Sequence, residues 1–195
     1  MCPTHSFHHE GHDFPIKMIH PAAFKGYENN PLLSPHLLGP IGDGVRQGLI
    51  RHLFLIPGEE ENAHSASRLR TLAGQVPADT VFILFGWAQG CFGDMELGII
   101  DLTETKPLKI LEGCCNKLRF EDPEPLRITE LPRILDMGQL YDMDRVMEFI
   151  SALADALNCT VKELPLTFIL SGGEEETIGI LEVLGYLCIT NILLS

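Results

Sequence analysis

Three groups of residues in this chain carry donor atoms at spacings that chemistry could use. Cys114 and Cys115 stand side by side in Gly113-Cys114-Cys115-Asn116-Lys117, just after the apolar run Leu108–Leu111. Adjacent cysteines behind a strand could supply a thiolate ligand; they also read as small buried residues. Glu59, Glu60 and Glu61 follow Pro57-Gly58, and Glu174, Glu175 and Glu176 follow Ser171-Gly172-Gly173. Three adjacent acids such as Glu59–Glu61 could hold a hard cation. Acids in the first turn of a helix also stabilise it, by roughly 0.3–1 kcal/mol each. Cys2, His5, His8, His9 and His12 crowd the amino terminus. Imidazole and thiolate suit zinc, nickel or copper, and the same composition describes a solvated tail. The Gly172-Gly173 pair is no phosphate loop, because no GxGxxG and no following Lys-Ser/Thr accompanies it. No nucleotide cofactor is therefore expected. All eight histidines precede residue 65, so no Ser-His-Asp arrangement is visible and no catalytic residue is assigned.

The elements that must position these groups alternate in type. From Leu131 to Leu194 the chain reads strand, helix, strand, helix, strand. Arg133–Met137, Leu166–Leu170 and Asn191–Leu194 are short apolar runs. The helix between the first two has Val146, Ile150, Leu153 and Leu157 as its apolar face, with Asp142 as cap. The next has Ile178, Leu181, Val183, Leu184 and Leu187. Upstream, His52–Ile56 is a buried-strand pattern ending at Pro57-Gly58. A helix marked by Ala66, Leu69, Leu72 and Ala73 follows and closes near Gly74. Thr80–Phe85 is a second strand, built from β-branched, aromatic and leucine residues. Pro40–Ile50 reads as a weak helix, since Gly42, Gly44 and Gly48 each cost roughly 1 kcal/mol against Ala. Residues 86–107 read as loop with a short strand near Leu97–Leu102, and residues 1–40 as an irregular His-rich segment. Such alternation specifies an α/β fold, Rossmann-like, with a parallel sheet and helical crossovers in a single domain over residues 41–195. In these sheets chemistry gathers beyond the carboxyl ends of the strands. Here those places are Gly138–Tyr141 and Ser171–Glu174.

The totals set the outer limits. A chain of 195 residues with 45% hydrophobic content is long enough for one sound core. A net charge of −13 argues against nucleic acid and anionic membrane as partners. No apolar run reaches the roughly 18 residues of a membrane span, and the first twenty residues lack the layout of a secretion signal. A cytoplasmic protein is expected, in which the six cysteines are thiols or metal ligands rather than a disulfide framework.

Several motifs carry a family resemblance. Arg133-Ile134-Leu135-Asp136-Met137-Gly138-Gln139, the alanine-rich Ser151–Ala156, Glu163-Leu164-Pro165-Leu166 and Thr190-Asn191-Ile192 resemble the C-terminal domain of the hybrid-cluster (prismane) proteins. These are hydroxylamine reductases related in structure to the nickel carbon monoxide dehydrogenases. Gln47–Leu55 and Pro77–Val81 are similar to the family's preceding segments. Cys115-Asn116-Lys117-Leu118-Arg119-Phe120 resembles its Cys-Gly-Lys-Tyr-Arg-Phe motif, without a gap between Cys115 and Pro132. Residues 86–107 then read as an insertion. In a second alignment Gly86-Trp87-Ala88-Gln89 occupies the cysteine motif, with Trp87 in place of the ligand.

The resemblance implies a Rossmann-like fold and an oxygen-bridged iron–sulfur hybrid cluster that reduces hydroxylamine or a related nitrogen oxide, drawing on an electron donor. It implies that Cys115 and Glu174 are cofactor-binding metal ligands. It also exposes departures. Glu59 stands where the family has its first cysteine, Leu140 where it has its third, and Glu176 where it has a basic residue. The family's upstream His, Glu and Cys ligands and its four-cysteine motif have no counterpart here, and Ser195 falls where a Gly-Pro segment would follow. The implied molecule is a truncated member with an incomplete ligand set, which a partner chain would have to complete. The alternative is a degenerate, cluster-free domain that acts as an interaction module.

Overall fold

The computed structural model describes residues 33, 35–58, 63–86, 92, 95–104, 128–137, 143–170, 180–182, 184, 185, 189 and 191–194. Their elements, in chain order, are helix α1 (Pro35–Arg46), strand β1 (His52–Gly58), α2 (Ala63–Gln75), β2 (Thr80–Gly86), β3 (Ile99–Asp101), β4 (Glu130–Pro132), β5 (Ile134–Asp136), α3 (Met143–Leu157), β6 (Leu166–Leu170) and β7 (Ile192–Leu194). Five strands form one sheet in the order β5-β2-β1-β6-β7, and every pairing in it is parallel. This is the α/β, Rossmann-like architecture expected from the alternation of elements.

Parallel strands buried on both faces need apolar residues at every position. β1 illustrates this. Leu53 and Leu55 join the cluster beneath α1 and α3, while Phe54 and Ile56 join the cluster beneath α2. β2 divides in the same way, with Val81, Ile83 and Phe85 on one face and Phe82 and Leu84 on the other. On the α2 face Phe54 stacks on Phe82 with centroids 5.2 Å apart, and Phe92 tilts against Phe82 at 5.6 Å. α3 buries Val146, Phe149, Ile150, Leu153 and Ala154. Full burial of such side chains stabilises by roughly 1.5–3 kcal/mol each. The expected helical face of residues 181–184 holds where it is described: Leu184 is buried and Leu181 packs against the same cluster.

The crossovers explain the placement of the helices. The chain steps from β1 through α2 to β2, toward the β5 edge. It returns from β5 through α3 to β6, on the far side of β1. Right-handed crossovers in opposite directions put their helices on opposite faces, as found for α2 and α3.

Two expectations are corrected. The weak helix at Pro40–Ile50 is instead α1, Pro35–Arg46, so regular structure begins inside the segment read as irregular. Its large apolar side chains Leu37, Leu38 and Ile41 are buried, and this packing outweighs its glycines and the hydrogen bond forgone at Pro40. Leu49, inside the range read as helix, is 38% exposed. It lies in the turn after the helix, where Gly48 takes φ +73°. Leu49 and Gly48 donate to the carbonyls of Gly44 and Val45, at 2.9 and 3.0 Å, closing a Schellman motif. The strand Arg133–Met137 is the shorter β5, and Arg133 is a bend between β4 and β5. The short strand expected near Leu97–Leu102 is found as β3, which pairs antiparallel with β4, outside the main sheet. The expected strand Leu108–Leu111 and the cap Asp142 lie outside the described residues.

Arg133 bends the chain because its side chain turns inward. Arg133 as a whole is 7% exposed. It donates to the carbonyls of Thr80 (2.9 Å), Leu97 (2.9 Å) and Pro77 (2.7 Å). One residue thus ties the start of β2 to the segment that enters β3. Burial lowers its pKa, against the opposing pull of Asp79.

Candidate functional site

A parallel sheet delivers all its carboxyl termini to one end. Here β1, β2, β5 and β6 finish at Gly58, Gly86, Asp136 and Leu170. In sequence, Glu59 follows the first of these strands, Trp87 the second, Leu140 comes after the third, and Ser171–Glu174 follow the fourth. The strands leading to Glu59 and Glu174 are neighbours, since β1 pairs with β6. Between them the winding of the sheet reverses, and such a switch point is where α/β folds leave a crevice.

The seam at that switch point has an unequal ladder. β1 pairs with β2 along its whole length, from His52 opposite Thr80 to Gly58 opposite Gly86. Its pairing with β6 covers only Leu53–Leu55, opposite Leu166–Phe168. Leu53 donates its N–H to the Pro165 carbonyl at 2.8 Å, so the amide positions facing β6 are residues 53, 55 and 57. Residue 57 is proline and has no N–H. The rung that would reach the Ile169 carbonyl is therefore missing. Sequence reading took Pro57 only as the end of a strand. The available signal was a proline inside an apolar central strand, a position normally closed to it.

The opposite end of the same seam is tied by side chains. His52 Nε2 lies 2.9 Å from Thr167 Oγ1, and the ring meets Phe54 edge-on at 4.8 Å. Burial lowers the His52 pKa below its ordinary value. This pair stands at the amino-terminal ends of β1 and β6, away from the strand ends where ligands gather.

Cys115 and Glu174, the two expected ligands, lie outside the described residues, as do Glu59, Leu140 and the histidine–cysteine tract at the amino terminus. The structure thus places the strands that precede Glu59, Leu140 and Glu174 at one end of the sheet, and leaves Cys115 in the connection between β3 and β4. Among the described residues no group of three or more His, Cys, Asp or Glu side chains gathers at a spacing for a metal ion. Cys159 is partly buried against the core at the end of α3. Burial, and secondarily the charge of Glu163, raises its pKa, which is the environment of an inert thiol.

The donor set does not fit a multi-iron cluster. Iron–sulfur clusters are held chiefly by thiolates. In the sequence that follows the strands, this chain offers carboxylates at Glu59 and Glu174 and a hydrocarbon at Leu140. Cys115 is the one thiolate that the resemblance assigns to the site.

Comparison with known proteins agrees with the fold. The model of the Prismane/CO dehydrogenase family matches residues 6–195. The hydroxylamine reductase of Solidesulfovibrio magneticus is 31% identical over 170 residues, 87% of this chain and 26% of that protein. That of Moorella thermoacetica is 30% identical over 167 residues, covering 86% of this chain and 32% of the relative. That of Burkholderia ambifaria is 30% identical over 199 residues, covering 96% and 31%. The chain thus spans about a quarter to a third of the length of the curated relatives it matches. Among solved structures, carbon monoxide dehydrogenase IV from Carboxydothermus hydrogenoformans superposes with a TM-score of 0.52 at 18% identity, over 89% of this chain and 26% of that one. That likeness supports the Rossmann-like fold. With a family model matching nearly its whole length, this chain belongs to the Prismane/CO dehydrogenase family.

Proposed function

We propose that this chain supplies the α/β domain of an iron–sulfur oxidoreductase that reduces hydroxylamine or a related small nitrogen oxide. Cys115 and Glu174 are its contribution to the metal site, and polypeptide outside this chain provides the other ligands. Support comes from family membership and from relatives named hydroxylamine reductase over most of this chain. The observation that carries the reading is the gathering of four parallel strand ends at one end of the sheet, with the switch point between β1 and β6. The reaction draws electrons from a separate donor. Among the described residues no helix is long and apolar enough to cross a membrane, and we place the protein in the cytoplasm, where thiols stay reduced.

A second reading is favoured by Leu140 and Glu59. With no donor atom at one ligand position and a carboxylate at another, the domain would keep its fold without a cluster and serve as an interaction module. One experiment separates the two. Iron and acid-labile sulfide per chain are measured after anaerobic reconstitution, with an EPR spectrum of the same sample. Under the first reading the chain by itself retains iron at the partial site of Cys115 and Glu174, and Cys115→Ala strips it. Iron absent from the parent chain, with a featureless spectrum, leaves the second.

A further inference from the structure

The sheet ends its β1–β6 ladder before either strand ends. β1 continues to Gly58 and β6 to Leu170, yet their pairing stops at Leu55 opposite Phe168. On the other side of β1 the ladder with β2 continues through Pro57 and Gly58. The asymmetry has a local cause. In a parallel ladder alternate residues face alternate neighbours, and Leu53 points its N–H at β6. Residue 57 does the same, and as proline it has no hydrogen to give. The Ile169 carbonyl, in a residue only 1% exposed, therefore receives nothing from β1. A ladder bond left out between two buried central strands weakens their seam, and here it is left out at the switch point of the fold.

We propose that Pro57 is a positioning residue: by deleting the rung to Ile169 it opens the seam between β1 and β6 at the switch point and keeps the ends of these strands free for a bound group. The functional half of this inference rests on reading that end of the sheet as the metal-binding site. The seam itself depends only on residues 53–58 and 165–170.

The test uses the full chain with Pro57→Ala, and Pro57→Gly as a second variant in case the first folds poorly. Each substitution restores an N–H at residue 57. Amide exchange followed by NMR should show that new N–H protected by at least about a hundredfold over an unstructured chain, with the Leu55 amide unchanged. Bound iron after anaerobic reconstitution should fall below the parent's at equal far-UV circular dichroism. An amide at position 57 that exchanges freely in both variants, beside a protected Leu55, overturns the proposal. A protected amide with undiminished iron overturns its functional half. A parent that takes up no iron sinks the metal-site reading, and the amide alone then decides whether Pro57 opens the seam.

Discussion

Arg133 is a charged residue whose environment was hidden in the sequence. It opens the motif Arg133–Gln139, and the natural reading was the first residue of a strand. Its guanidinium instead satisfies three carbonyls from two separate segments. Arg133→Met keeps much of the hydrocarbon stem and removes all the donors. We expect it to cost about 2–4 kcal/mol, given the worth of hydrogen bonds to charged groups and the penalty for buried unpaired carbonyls. The urea midpoint, compared at constant m-value, measures it. His52 makes a prediction in pH. Burial lowers its folded-state pKa below 6.5, so the unfolded chain binds its proton first as pH falls. The contribution of neutral His52 is complete above the unfolded pKa. It is lost progressively as pH drops from there toward the lower folded value, with no further loss beneath it. His52→Asn should flatten this part of the stability profile, as urea midpoints between about pH 5 and pH 7.5 would show. A profile as steep as the parent's would assign the slope to other groups.

At the scale of elements, helix ends are decided by single residues. α1 closes on Gly48 and α3 on Asn158, at φ +73° and +52°. At α3 the N–H groups of Asn158 and Cys159 donate to the carbonyls of Asp155 and Ala154, at 3.1 and 3.0 Å, the same motif as at α1. Glycine adopts the left-handed conformation more easily than asparagine. Asn158→Gly should therefore be neutral or stabilising by up to about 1 kcal/mol, whereas Asn158→Val should destabilise by at least that much. Thermal midpoints of the two variants, on either side of the parent, check the pair. Within α3, Leu153 is fully buried, so Leu153→Ala should cost about 2–5 kcal/mol. The apolar spacing of α3 was plain in the sequence, and its buried face includes Val146, Ile150 and Leu153 as expected. α1 was misplaced because its glycines and proline lower local propensity, and only contact with the sheet recovers the loss. The β3–β4 ribbon was half visible. The apolar residues of β3 showed, but its partner thirty or so positions away did not, because antiparallel pairing leaves no mark in local periodicity.

At the scale of the whole molecule, one hydrophobic cluster runs from Leu37 in α1 through β1, β2, α3 and β6 to Ile189. A core shared by so many elements should unfold as a unit. Denaturation followed by far-UV circular dichroism and by the fluorescence of Trp87, the single tryptophan, should give coincident transitions. Two separated transitions would mean that the β3–β4 ribbon or the carboxyl-terminal strands melt apart from the rest. The molecule is also a fraction of its relatives' length. Under the proposed function, Cys115 and Glu174 are this chain's share of a metal site whose remaining ligands lie in other polypeptide.

The sequence alone determined the class of fold, because alternating strand and helix periods admit few arrangements other than a parallel sheet with crossovers. It also identified the family, through motifs whose order and spacing agree, and that resemblance marks Cys115, Glu174, Glu59 and Leu140 as the candidate ligand positions, which lie outside the described residues. Tertiary structure decided what depends on contacts between distant segments. It set the strand order that makes β1 and β6 neighbours, turned Arg133 inward onto carbonyls of Pro77, Thr80 and Leu97, and paired β3 with β4. It also gave Pro57 its meaning. A proline in an apolar run says only that one N–H is absent; which neighbouring strand loses that hydrogen bond is known once the register is known.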